Sequence, residues 1–332
     1  MLDGIAGVDL GGTRIKIGLA DTTGRIISTS ILETRGCRDA EGIVEKISTT
    51  VKDLALAASV HVIAAGVGCP GRIDHQAGRV VWLKSKLEFL EGAPLSALLD
   101  ERLGCPVACD NDVNAMLAGE MRFGAGRRYQ NVVAIAVGTG IGGALFLEGR
   151  LVRGHNWAAG HFGFMSHDPA GPRHACGNSG IVEEHASQSG ILRRLREASD
   201  AGEKSRLTQA LAEGDEPGLC ELFAAFNAND PLAARLVKRL TVELGVLIAN
   251  LIFALDPEIV LVGGGILNCW PGLVDAVRSE AAGRLDYLPE NATGILPMTL
   301  GDGAGILGGV ALAMEFLSKE NRAYLPQGVT KK

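Results

Sequence analysis

A chain of 332 residues, 47% hydrophobic and 21% charged, carries enough apolar material for two domains with separate cores. Its net charge of −6 argues against a general nucleic-acid surface, which needs a basic face, and its longest apolar run, residues 244–255, is too short to cross a bilayer. The seven cysteines are scattered, odd in number and preceded by no secretory leader, so reduced thiols in a cytoplasm are expected.

The opening stretch, residues 7–21, sets the pattern for the chain. Ile5, Ala6 and Val8 read as a buried strand, Gly11 and Gly12 break it, and Ile15, Ile17 and Leu19 then alternate with Lys16, Gly18 and Ala20. This is a β-hairpin whose turn exposes amide N–H groups, and successive amides form a concavity that can cradle phosphate oxygens. Thr13 adds a hydroxyl, and Asp9 at the mouth can hold Mg²⁺ through water. The plainer reading is an ordinary Gly-Gly hairpin beside a solvated aspartate. A third strand is expected over 25–33. A helix follows over 39–58, with Ile43, Ile47, Val51 and Leu54 on one stripe.

A buried strand over 61–68 runs into the turn Gly68-Cys-Pro-Gly71, at the kind of strand end where open α/β sheets bind ligands. Beyond a helix at 95–103 and a short strand at 106–109 comes Asp110-Asn-Asp-Val-Asn114, followed by a helix over 115–123. Four polar residues in five cost desolvation unless they face a cavity or cap a helix. One cap suffices for the helix, so at least one carboxylate is expected to serve chemistry; the competing reading is a plain N-cap.

The opening design then recurs. An apolar strand at 131–137 leads into Gly138-Thr-Gly-Ile-Gly-Gly143, then a strand at 144–147, a turn at 148–149 and a strand at 150–152. Two such hairpins suggest an internal duplication, and a strand rather than a helix after each turn argues against a dinucleotide fingerprint. Residues 154–187 hold five of the seven histidines, His155, His161, His167, His174 and His185, together with Cys176. Helices are expected over 191–199, 206–213, 218–227 and 231–255. A strand at 259–262 stops at Gly263-Gly264-Gly265, before a helix starting near Trp270. A flat nucleoside can lie on such bare backbone, or the glycines merely ease packing. Residues 301–305 open a last helix to about 317, and the tail 318–332 is expected to be loose.

Five motifs in this order resemble the ROK family of sugar kinases and sugar-responsive repressors, within the actin-like ATPase superfamily: Asp9-Leu-Gly-Gly-Thr13, Gly68-Cys-Pro-Gly71, Asn111-Asp-Val-Asn114, Gly138-Thr-Gly-Ile-Gly-Gly143 and Cys176-Gly-Asn-Ser-Gly180. The chain has no room for the repressors' DNA-binding domain, so it resembles the kinase branch. The resemblance implies an α/β fold of two actin-like (ribonuclease H-like) lobes, each with a mixed sheet, and a cleft between them. The small lobe would be residues 1–114, with the final helix at about 305–318 packing back on it. The larger lobe would be 115–304, and 319–332 a loose tail. The implied activity is ATP-dependent phosphorylation of a hydroxyl of a hexose or hexose-like polyol by a cytoplasmic homodimer, with no nucleic-acid or membrane partner. A non-catalytic sugar or nucleotide sensor is the alternative.

By the same resemblance Asp112 is the general base, and Gly71, Asn111, Asp112, His161 and Glu183 line the sugar. Asp9, Gly11, Gly12, Thr13, Lys16, Gly138, Thr139 and Gly140 serve ATP phosphates and Mg²⁺, with Asp9 on the metal through water. Gly263, Gly264 and Gly265 serve the nucleoside. The chain departs from the family in the histidine-rich region. The sugar-binding Glu is His161, the His shared by sugar and zinc is Phe164, and the zinc cysteines read His174, Cys176 and Ile181. A tetrahedral zinc site needs four N or S ligands, so a rebuilt site would draw on His174 and Cys176 with His161 or His167; the expectation is a loop packed around Phe162, Phe164 and Ile181 without metal. Exchanging Glu for His and His for Phe at a hydroxyl-binding wall implies a modified hexose rather than plain glucose.

Overall fold

The computed structural model describes residues 2–84, 86–290 and 292–323 and falls into two compact units. One runs to Arg128 and takes in Arg153–Ala158 and the chain from Thr299; the other is Tyr129–Val152 with Ala159–Met298.

In the first unit, β1 (Leu2–Leu10) and β2 (Arg14–Ala20) form the opening hairpin, with Asp9 opposite Lys16, and β3 (Ile26–Glu33) follows. Helix α1 (Ala40–Ala58) starts at Asp39, whose side chain accepts the Gly42 amide, and turns Ile43, Val44, Ile47 and Val51 inward. They pack with Ile15, Ile17 and Leu19 of β2 in one core. Strand β4 (Val60–Cys69) is followed by a small ribbon, β5 (Arg72–Asp74) and β6 (Arg79–Trp82), which the apolar pattern did not signal. Next come α2 (Leu95–Leu103), β7 (Val107–Asn111) and α3 (Asp112–Phe123). The sheet order is β3-β2-β1-β4-β7, with β1, β4 and β7 parallel. Helix α3 stays with this unit, so the boundary lies beyond the expected 114.

The C-terminal helix α11 (Ala304–Ala323) covers the second face of this sheet. It lies on the strands backbone to backbone. A Cβ at Gly66 would strike the Gly309 carbonyl, and one at Gly7 the Ile306 carbonyl. The helix also runs past the expected end near 317, taking residues 319–323 from the expected tail; 324–332 lie outside the described residues. Buried Glu120 of α3 ties the approach to this helix, accepting from the amides of Ala125, Thr299 and Leu300 and from the Thr299 hydroxyl at 2.7–3.1 Å.

The second unit repeats the topology. Strands β8 (Val132–Val137), β9 (Ile141–Leu147) and β10 (Arg150–Leu151) form a hairpin and a return. Helices α4 (Glu183–Ala186), α5 (Gln188–Asp200), α6 (Arg206–Ala212), α7 (Leu219–Asn227) and α8 (Pro231–Leu255) follow. Then come β11 (Ile259–Gly263), α9 (Ile266–Cys269), α10 (Leu273–Ala282) and β12 (Gly294–Pro297). The order β10-β9-β8-β11-β12 matches that of the first sheet, antiparallel through the first three strands and parallel through the last three. Cys220 of α7 and Cys269 of α9 form a disulfide across 49 positions, which corrects the expectation of reduced thiols for these two; the other five are free. Among the described residues no helix is long and apolar enough to cross a membrane.

The helix-on-sheet contact gives a test. Gly66→Ala is expected to destabilise the chain by about 1–3 kcal/mol or more, because the methyl meets main chain that has no rotamer to yield. An unchanged melting temperature would refute the close approach.

Candidate functional site

In the first unit the expected residues gather at the carboxyl ends of the three parallel strands. Asp9 lies opposite Gly68, Gly68 opposite Asp110 and Cys69 opposite Asn111. The turn after β1 is closed by the Gly11 amide donating to the Arg14 carbonyl at 2.9 Å. The Gly12 and Thr13 amides donate to no other described residue, and a Cβ on Gly12 would meet nothing within 4 Å. Two amides with open space before them suit anionic oxygens.

The Asp9 carboxylate accepts no hydrogen bond from the described residues, and Lys16, its register partner, also lies 4.0 Å from Asp302. Burial raises the Asp9 pKa, against the pull of Lys16. Gly305, in the first turn of α11, sits so close to this carboxylate that a methyl there would overlap it. A desolvated carboxylate without donors at the mouth of an amide turn fits a hydrated divalent cation. Lys86, which the sequence pattern did not single out, donates from Nζ to the Thr13 hydroxyl at 3.4 Å.

The polar cluster sorts into separate roles. Strand β7 extends to Asn111 and α3 begins at Asp112, three residues before the expected start. Asn111 is the cap: its Oδ1 accepts from the Val113 and Asn114 amides at 2.9 and 3.3 Å, while its Nδ2 donates to the Gly71 carbonyl at 2.9 Å. That couples two of the expected sugar-side residues and leaves one Asn111 N–H to give. Asp110 is buried and committed, accepting from the Asn111 amide and Asn114 Nδ2 and pairing with Arg153 Nε at 2.6 Å. Asp112 accepts the Val113 amide at 2.9 Å and has no ion-pair partner among the described residues. Burial first, and then the charge of Asp9, push its pKa up to about 6. Asp110 is thus tied up by an arginine and two amide groups, whereas Asp112 has one amide donor and a carboxyl group whose pKa its surroundings hold at about 6.

In the second unit the turn after β8 has the same anatomy. The Gly138 amide closes it on the Gly140 carbonyl at 2.9 Å, and the Thr139 and Gly140 amides donate to no other described residue. The start of α5 braces it, with the Gln188 and Ser189 amides on the Gly138 and Thr139 carbonyls. Glu183, expected at the sugar, sits beside Gly140 and accepts the Ile141 amide at 2.7 Å; burial raises its pKa. Gly263 ends β11, and Gly264 and Gly265 follow it beside this turn. Gly264 adopts φ +94° and packs on the Val137 carbonyl, where a side chain has no room, and a Cβ at Gly265 would meet nothing within 4 Å.

The histidines do not form one cluster. The Phe164 ring lies 5.7 Å from that of His161 and 5.5 Å from that of His174. His174 Nδ1 accepts the Cys176 amide at 3.1 Å, and Ile181 is buried in the core. One remaining imidazole nitrogen and one thiol do not make a tetrahedral zinc site. The described residues hold no group of three or more His, Cys, Asp or Glu placed for a metal. His167 pairs with Glu243 at 2.6 Å, His185 is buried against Arg194, and His155 is exposed.

The chain is similar to known sugar kinases along nearly its whole length. A glucokinase of Thermotoga maritima is 31% identical over 314 residues, covering 94% of this chain and 97% of its own length. A β-glucoside kinase of Listeria innocua is 29% identical over 320 residues, covering 96% and 99%. The ROK family glucokinase of Streptomyces griseus, solved with glucose and AMPPNP, is 31% identical with a TM-score of 0.80, covering 94% of this chain and 99% of that one. Residues 5–315 match the ROK family itself, and on the length of that match this chain belongs to the ROK family.

Proposed function

We propose that this ROK sugar kinase transfers the γ-phosphoryl group of ATP to a hydroxyl of a hexose or hexose-like polyol other than plain glucose, with Asp112 as general base. The observation that carries the reading is the state of Asp112: half-buried, without an ion-pair partner among the described residues, and with its pKa pushed up to about 6 by its surroundings.

Phosphoryl transfer depends mainly on positioning and charge stabilisation, and the chain supplies both. The amides of Gly12 and Thr13, and of Thr139 and Gly140, are open for phosphate oxygens. Asp9 is suited to a hydrated Mg²⁺, which when bound shields phosphate charge. Asp112 takes the proton from the attacking hydroxyl, whose oxygen then bonds to the phosphorus as the bond to ADP breaks. Asn111 and Glu183 orient the sugar, and the bare backbone of Gly263–Gly265 supports the nucleoside. The exclusion of plain glucose rests on the wall of His161 and Phe164, where an acceptor-only carboxylate has given way to rings. Work as a homodimer in the cytoplasm, on small molecules alone, belongs to the same reading and rests on the family resemblance.

Outcomes are expected first for activity, then for stability and for specificity. In a coupled ADP-release assay, Asp112→Asn loses about 10²–10⁴-fold in kcat. The base acts only when ionised, so wild-type kcat/KM falls about tenfold per pH unit below pH 6. If no polyol stimulates ADP release and the substitution changes nothing, the sensor reading takes its place.

The second outcome concerns stability. A carboxyl whose pKa rises from 3.8 to about 6 on folding favours the native state while protonated, and that contribution is lost as pH rises from about 4 through 6. Asp112→Asn therefore stabilises the chain by about 1 kcal/mol at pH 7.5, once the helix N-terminus and solvent screening offset part of the shift, and does nothing at pH 4. Equal melting temperatures at pH 7.5 would show that the carboxylate bears no such burden.

Third, across a panel of hexoses, kcat/KM for glucose is expected to lie about tenfold or more below that of a deoxy, anhydro or amino hexose. Preference for glucose would overturn the specificity assigned to His161 and Phe164.

A further inference from the structure

The disulfide between Cys220 and Cys269 stands next to a feature already assigned a role. Cys269 ends α9, the single helical turn that opens directly after Gly263-Gly264-Gly265. Its Sγ lies 3.8 Å from the Gly265 carbonyl oxygen. Cys220 is exposed near the start of α7, and the two Cα atoms are 4.7 Å apart. Trp270, the residue after α9, also meets α7: its ring packs 4.8 Å from that of Phe223 and 5.9 Å from that of Phe226.

We infer that Cys220 and Cys269 are a redox-modifiable pair that sets the affinity of the Gly263–Gly265 turn for nucleotide. This rests on the nucleoside reading of that turn. In the oxidised form the sulfur bridge holds the last residue of α9, the packing of Trp270 holds the position after it, and buried Ile266 seats the first. With Cys269 Sγ against the Gly265 carbonyl, the glycine turn leading into the helix is held in one conformation. After reduction the bridge is gone, Cys269 is a thiol able to donate to the Gly265 carbonyl, and the C-terminal end of α9 is held by the packing of Trp270 with no covalent link, Ile266 still seating its first residue. A ligand that binds backbone then has to order that backbone, which weakens affinity.

The chemistry balances with an organic disulfide as oxidant. The exposed Cys220 thiolate attacks one sulfur of the oxidant, forming a mixed disulfide and releasing one thiolate. Cys269, half-buried beside it, attacks the Cys220 sulfur and releases the second thiolate. Two S–H bonds are lost, one S–S bond forms, and the oxidant leaves as two thiols carrying the two electrons and two protons. A dithiol reverses the sequence. Intracellular disulfides are commonly transient and sensing rather than structural, which suits a pair placed at a ligand-binding turn.

The test uses the full chain, oxidised with glutathione disulfide or reduced with dithiothreitol. Titration of thiols in denaturant should give five in the first state and seven in the second. Binding of AMPPNP is then measured by calorimetry in both states, with sugar KM as the control. Reduction is expected to weaken AMPPNP binding about fivefold, the scale of ordering one or two side chains, and to leave sugar KM unchanged. Cys220→Ser should bind with the weaker affinity under both conditions. Melting temperature falls on reduction whether or not the turn is affected, so it is not the readout. Equal AMPPNP affinity in the two wild-type states, or seven thiols after oxidation, overturns the inference while the kinase reading stands. Absence of AMPPNP binding in both states overturns the nucleoside reading and this inference with it. The wild-type comparison alone decides the matter if the variant does not fold.

Discussion

Helix α11 rests on strands β1 and β4 with no side chain between main chain and main chain, and the surroundings of Asp9 depend on that contact. Gly66 faces Gly309, and Gly7 faces Ile306. The strand end that carries Asp9 is thereby brought against Gly305, at the amino end of the helix, where unpaired amides favour negative charge. The position is still costly for a carboxylate, because burial raises the Asp9 pKa and none of the described residues donates to it. That cost is passed on to Asp112, whose own proton is held partly by its neighbour's charge. Two carboxylates that resist ionising together are natural neighbours for a divalent cation and for a proton about to move.

The two turns are the second organising feature. Each closes with one backbone hydrogen bond and leaves the next pair of amides undonated, Gly12 and Thr13 in one unit, Thr139 and Gly140 in the other. Each follows the first strand of a five-stranded sheet with the same order and the same parallel and antiparallel pairings. Their supports differ. Thr34 braces the first, its amide on the Thr13 carbonyl and its hydroxyl on the Gly12 carbonyl, whereas α5 and the Glu183 carboxylate brace the second. In this chain Glu183 therefore has a structural duty at the Gly138–Gly140 turn besides any duty toward a sugar.

What the sequence made readable was local. Alternating apolar residues, paired glycines and a stripe every third or fourth residue all act over a few positions, so the hairpins and the long helices were visible from pattern alone. What stayed hidden acts over distance. Nothing near Asp110 says that Arg153 will neutralise it, 43 positions away, and without that pairing Asp110 and Asp112 are equal candidates. The scattered cysteines hid the 49-residue span that brings two of them together. The crowd of histidines between 154 and 187 suggested one site, yet two flank a phenylalanine, one pairs with Glu243, one is buried beside an arginine and one faces solvent. Short strands such as β5, β6 and β12 carry too few residues for a period to emerge.

Glu120 has a bearing on how this protein can be cut and rejoined. Its buried carboxylate is satisfied by four donors, and three of them come from Thr299 and Leu300, 179 and 180 positions downstream. Any truncation that ends before these residues leaves the buried carboxyl group with the Ala125 amide as its one remaining donor of the four, a loss of several kcal/mol quite apart from the missing helix. New termini introduced by circular permutation face the same restriction: wherever the chain is opened, α3 and the segment around Thr299 have to be delivered to the same folding unit.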